Sequence, residues 1–377
     1  MDWFTNSKQT DIKKLIVQLA DATKRDSAAQ TLMKQAADSI PVLIDALQSE
    51  SVDLVLPCQH LLARIPSASL QLIKALETAH PLIRGRVAET FAISKDKNAI
   101  PSLIQALSGE YFTVRAKSAI ALAHIGDSQV IPYLLPLLKD EESEVRISVC
   151  SALGMFKDPT TFDEIANVLL DDPKIEVRQA AVKALGDTLH PAAVPFLMEA
   201  LRDSFWWFER EDIVKDLLSA IENMGEPVVD SLIEALADKE KTVRKYSAMI
   251  LGNLKDARAI DELGMTLYDL HDEVSEVASE ALAQFGESAI PVLREALRHP
   301  ESTVRGHAVS GLGKIQNAQV IPLLIEMLND PERLVKKQAL NALSSAKDER
   351  VVVALKEIVA NRADRELSAL AKQILGH

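Results

Sequence analysis

Cysteine is almost absent: Cys58 and Cys150 are the only two in 377 residues. Two cysteines cannot build a disulfide framework or a four-cysteine zinc site. Aromatic residues make up only 4% of the chain. Strands draw on aromatic and β-branched residues, so a chain rich in Ala and Leu but poor in rings points to helices. Basic residues are outnumbered, 42 Lys and Arg against 55 Asp and Glu, leaving a formal net charge of −13. That balance lacks the broad basic footprint that phosphate backbones need, so no nucleic-acid partner is expected. No apolar run approaches the length of a membrane span, and Met1-Asp2-Trp3-Phe4 does not begin a basic-then-apolar leader. The expected location is therefore cytoplasmic, with no membrane span. There is no P-loop, no dinucleotide glycine fingerprint and no His-Glu-x-x-His zinc motif. No cofactor and no metal are expected.

What is present is a repeat. Ile100-Pro101-Ser102-Leu103-Ile104-Gln105-Ala106-Leu107 recurs as Ile131-Pro132-Tyr133-Leu134-Leu135-Pro136-Leu137-Leu138, and its opening returns at Ile290-Pro291 and Ile321-Pro322. Seven residues after the last Leu stands a Val-Arg pair: Val114-Arg115, Val145-Arg146, Val243-Arg244 and Val304-Arg305. These landmarks place repeat starts at 12, 40, 69, 100, 131, 162, 194, 229, 260, 290, 321 and 352. Each unit reads as two short antiparallel helices. Pro at the second position suits the first turn, where its missing N–H costs nothing. The second helix carries small or apolar residues in a one-faced stripe, such as Val145, Val149, Ala152, Leu153 and Phe156. Gly-acid pairs such as Gly126-Asp127, Gly186-Asp187 and Gly286-Glu287 are expected to end it. One such hairpin cannot bury its own stripe, so neighbours must stack. The expected fold is all-α, a right-handed α-solenoid of about twelve two-helix units. It divides into an N-terminal arm and capping repeat over 1–39, a solenoid over 40–351 and a C-terminal capping repeat over 352–377.

The motif Ile-Pro-x-Leu-Ile-x-x-Leu, an acidic turn, then Val-Arg-x-x-Ala-x-x-Ala-Leu-x-x-Ile-Gly resembles the HEAT repeat. A unit of about 31 residues is similar to the short HEAT-like form named after phycobilisome lyases. The resemblance implies a scaffold for another protein. Its lyase branch implies, as the alternative, a bilin lyase or chromophore chaperone whose partner is a phycobiliprotein or bilin. HEAT-type di-iron hydroxylases use His-Glu dipeptides, and none of the eight histidines here is followed by Glu. HEAT-like DNA glycosylases need a basic face, which the charge opposes. Cys58 and Cys150 fall on or beside core positions and read as buried hydrophobes.

The repeated Arg of the second helix, with Asp six residues before it in Asp140, Asp172, Asp238 and Asp330, reads as a ladder tying units together. The acidic run Asp140 to Glu144 reads as a solvated turn. One unit departs from the pattern: the repeat at 194 is longer, with an insertion over 203–212 that holds Phe205, Trp206, Trp207, Phe208 and Arg210. Insertions in solenoids lie at one edge, and Trp is a common anchor at interfaces. The second helices are expected to line a concave face, with His124, Met155, Tyr246, Met249 and His307 pointing into a mildly basic groove. These ten residues are the candidate partner-binding set, and no residue is assigned a catalytic role.

Overall fold

The computed structural model describes residues 2–202, 211–361 and 364–376. Among them it forms 24 α-helices, joined by short 3-10 turns and arranged as twelve successive pairs. First helices begin at 69, 100, 131, 162, 194, 229, 260 and 290, at the starts expected from the repeat. Four others begin earlier than expected, at 2, 36, 320 and 349. In the second pair, Ala36, Ala37 and Asp38 already make the first turn. Pro41 therefore lies inside the helix Ala36–Ala46 instead of near its start.

The chain divides into two compact units, Met1–Ala193 and Val194–His377. In the first, the second helices Val52–Ala63, Pro81–Ser94, Phe112–Ile125, Ser143–Phe156 and Ile175–Gly186 stack side by side. In the second, Glu211–Asn223, Lys241–Leu254, Asp272–Gln284, Ser302–Lys314 and Arg333–Leu343 do the same. The core is the expected stripe: Val145, Val149, Ala152 and Leu153 are fully buried, as are Val274, Ala278 and Leu282. Phe156 and Phe285, at the end of the stripe, are half-buried.

Second helices sit closer to one another than first helices do, and small residues make this possible. A Cβ on Gly154 would stand 2.8 Å from the Ala184 Cα, and one on Gly252 would stand 2.7 Å from the Ala281 Cα. Both contacts join the same two positions of successive second helices. The Gly-acid pairs stand at helix ends as expected. Gly126 caps its helix at φ 80°, Gly286 turns the chain at φ 60° just after the helix Asp272–Gln284 and its cap Phe285, and Gly186 is the last residue of the helix Ile175–Gly186, without a left-handed φ. Lys95, Lys157 and Lys255 take the left-handed cap position elsewhere, each at φ 54°.

One first helix is broken. Ile131–Leu134 is a single α-turn, and the chain then tightens into a 3-10 helix over Leu135–Lys139. Pro136 is the cause, because it has no N–H to give the Pro132 carbonyl four residues back. The segment closes with an i to i−3 bond, Asp140 N–H to the Leu137 carbonyl at 3.1 Å.

Candidate binding surfaces

The repeated arginines are consumed by structure. Arg115 donates from Nε and Nη2 to both carboxylate oxygens of Asp140 in the next repeat, each at 2.8 Å. Its Nη1 donates to the Gly109 and Glu110 carbonyls of its own turn, at 2.9 and 3.0 Å. Arg146 does the same to Asp172, at 2.7 and 3.1 Å, and Arg305 to Asp330, at 2.7 and 2.9 Å. Arg244 reaches Asp269 at 2.5 and 2.9 Å. The carboxylates in turn accept turn amides: Glu142 N–H donates to Asp140 at 2.9 Å and Glu332 N–H to Asp330 at 2.8 Å. Each guanidinium therefore joins its own turn to the next one, and the Asp side of the acidic run 140–144 is a structural acceptor, not a solvated group. Burial alone would raise the carboxyls of Asp140, Asp269 and Asp330. The hydrogen bonds from Arg115, Arg244 and Arg305 and from turn amides outweigh it, and all three sit below the usual carboxylate range.

The expected site residues divide into two groups. Phe205, Trp206, Trp207, Phe208 and Arg210 lie outside the described residues. The other five all fall on second helices. In the first unit His124 and Met155 hold the same position near the ends of adjacent stacked helices, and both are exposed. Ile93 holds that position on the helix before them, so Ile93, His124 and Met155 form a row over three repeats. Ile93 is 39% exposed and Met155 44%. In the second unit Tyr246 and Met249 are half-buried on the helix Lys241–Leu254, with Lys245 Nζ 5.7 Å from the Tyr246 ring centre. His307 is half-buried, and its Nε2 lies 2.8 Å from Asp272 Oδ1.

The expectation of a mildly basic groove needs correction. Lys117 is paired with Glu89 at 2.7 Å, and Lys314 with Glu280 at 2.5 Å. Lys241 and Lys245 both reach Glu273, at 2.7 and 3.4 Å. Each of these cations meets a carboxylate of the neighbouring second helix, and Lys183 lies 4.0 Å from Asp187 of its own repeat, so the face is balanced. The signal for this was charge of opposite sign at facing positions of successive repeats, which counting one helix at a time does not reveal.

A feature that the repeat pattern did not single out lies at the turn edge of the first unit. A cleft of about 720 Å³ opens between the 3-10 segment Leu135–Lys139 and the next first helix, Phe162–Asp171. Leu135, Leu138 and Val168 give it an apolar lining. Glu164, Asn167, Val168 and Asp171 share one helix face at spacings of three and four, which aims them together.

Paired helices stacked through second-helix contacts and tied by a cross-repeat Arg-Asp ladder define an α-solenoid. The family model for HEAT repeats matches residues 100–173, 131–217, 162–241, 229–306 and 290–376, and the chain belongs to the HEAT-repeat family. No curated protein matches the chain. Among solved structures, the crystal structure of Kap121p is 16% identical with a TM-score of 0.57, covering 98% of this chain and 49% of that one. Kap95p, in the structure with RanGDP, is 11% identical with a TM-score of 0.55, covering 96% of this chain and 59% of its own. The chain thus spans about half the length of the karyopherins it resembles, and the likeness is one of fold. The CpcE–CpcF complex of phycocyanin lyase from Nostoc sp. PCC7120 is 20% identical over 59% of this chain and 91% of that one. Its TM-score of 0.35 carries no argument. No helix among the described residues is long and apolar enough to cross a membrane.

Proposed function

We propose that the chain is a non-catalytic scaffold that holds a partner protein against the exposed faces of its second helices. The row Ile93, His124 and Met155 is the observation that carries this reading. Three adjacent stacked helices present adaptable or apolar side chains to solvent at one position, whereas the matching positions of the second unit hold Asn253, Gln284 and Lys314. Grouped exposed apolar side chains mark interaction surfaces far more often than single ones do. The similar fold in Kap121p, solved bound to Nup53p and to Pho4p, supports the use of such an array for holding proteins. The insertion over 203–212, with Trp206 and Trp207, supplies a second anchor in this reading, and cytoplasmic location belongs to it as well.

The test is affinity capture from source-cell extract with wild type, Ile93→Asp/Met155→Asp and Trp206→Ala/Trp207→Ala, each shown to be folded by circular dichroism. Loss of a wild-type band in the first double variant supports the row as the docking face, and loss in the second supports the insertion. Equal capture by all three proteins overturns both assignments. The bilin alternative rests on the resemblance of the repeat alone. Adding a bilin and finding an unchanged visible spectrum removes it.

A further inference from the structure

We propose that the cleft between Leu135–Lys139 and Phe162–Asp171 is a docking site for a short cationic segment of a partner protein, with Arg or Lys flanked by apolar residues. The inference rests on the scaffold reading but names a surface apart from the second-helix row. Its charge decides the occupant. Of the lining groups, Asp140 is held by Arg115 and Asp172 by Arg146. That leaves Glu164, Asp171 and the exposed Glu141, which lies 4.0 Å from the already paired Arg115, against Lys139 and Lys174, an excess of one negative charge. Neither Glu164 nor Asp171 has an ion-pair partner among the described residues.

Backbone adds to the negative excess. The helix Phe162–Asp171 and the 3-10 segment Leu135–Lys139 both end at the cleft; Arg146 takes the Asp140 and Glu141 carbonyls and Arg178 the Asp172 carbonyl, while the helix turns its negative dipole end to the cleft. Asp171 is the last residue of its helix, where a carboxylate opposes the dipole and a cation is favoured. Among the described residues no ion pair reaches Asp171, so an incoming cation would meet a carboxylate at a helix C-terminus.

The lining suits the rest of such a side chain. Leu135, Leu138 and Val168 offer apolar surface on which the methylenes of Arg or Lys can lie while the charged head reaches Glu164 and Asp171. A volume of about 720 Å³ falls inside the range of ~300–1,000 Å³ usual for ligand sites. A cleft at the same repeat positions, lined by Ile325, Leu328, Ala354 and Ile358, lies between the last two repeats, and Asn361 stands there in place of Asp171.

The experiment is a titration of the full chain, labelled at Leu and Val methyls, with three blocked hexapeptides that alternate Leu with Arg, Gln or Glu. The expected result is saturable shifts of the Leu135, Leu138 and Val168 methyls with the Arg peptide alone, weakened by added salt. Glu164→Gln/Asp171→Asn, which alters only exposed side chains, is expected to raise Kd about tenfold with unchanged methyl dispersion. Unmoved cleft methyls, equal binding of the Gln peptide, or full affinity in the double variant would overturn the proposal. Because the peptides replace a native partner, these outcomes are read independently of the capture experiment. Failure here leaves the second-helix reading standing, and failure of capture leaves the cleft standing.

Discussion

At the residue scale, the Arg-Asp pairs show how a charge becomes part of a core. Arg305 and Asp330 are both buried, and each oxygen of Asp330 takes a guanidinium hydrogen bond. Two buried charges offset each other's desolvation only together, so removing one leaves the other stranded. Asp330→Ala is therefore expected to destabilise the chain by about 3–5 kcal/mol, measured by urea unfolding followed by circular dichroism. The double change Arg305→Met/Asp330→Leu should recover most of that loss, because no unpaired charge remains. If the double variant is as unstable as the single one, the pair is not the source of the effect. The chain contains a natural version of this double change. Ser275 replaces the ladder Arg in one repeat, and the next turn has His299 where its neighbours have Asp. There His299 Nδ1 accepts the Glu301 amide at 3.2 Å, keeping the turn without a carboxylate.

At the element scale, helix spacing is set by the smallest side chains. Gly154 faces Ala184 so closely that any Cβ would fall within 3 Å of its atoms. Gly154→Val is expected to cost about 1–3 kcal/mol through overpacking, seen as a lowered urea midpoint. A change at the exposed neighbour Met155, such as Met155→Gln, should leave that midpoint nearly unmoved. Equal midpoints for Gly154→Val and wild type would mean that the second helices can move apart without loss. Pro136 shortens one first helix, and a cleft lies beside the tightened segment.

At the scale of the whole molecule, the ladder makes stability depend on pH. Asp140, Asp238, Asp269 and Asp330 all lie below the usual carboxylate range in the folded chain. Burial opposes this in each case, but the hydrogen bonds from their arginines and from turn amides prevail. A lowered folded pKa means that the folded chain binds fewer protons than the unfolded one. The contribution is then complete above the unfolded value, about 4, and is lost as pH falls through the lower folded values. The urea midpoint is expected to stay level in this respect from pH 7 to about 5 and to drop below about 4. A chain carrying Arg305→Met/Asp330→Leu, which removes one pair without stranding a charge, should show a smaller drop. An unchanged acid limb in that variant would assign the loss to other carboxylates.

The repeat starts were legible because the landmarks recur: Ile-Pro opens the first helix, and Val-Arg opens the second. The partners of Arg115 and Arg305 were legible only as a class, since Asp140 and Asp330 lie 25 residues away and meet them only after stacking. The sites were less legible. His124 and Met155 were found from their helical offset, but Ile93 joins them only when three helices stand side by side. Lys117 and Lys314 read as a basic face because their carboxylate partners, Glu89 and Glu280, belong to the preceding repeat. By itself the sequence determined the helical period, the repeat length, the buried stripe and the family, because each depends on residues within one unit. Tertiary structure alone decided which charges cancel, which exposed side chains form a row and where a cleft opens between first helices. Those properties depend on distances between units, and a periodic sequence does not state them.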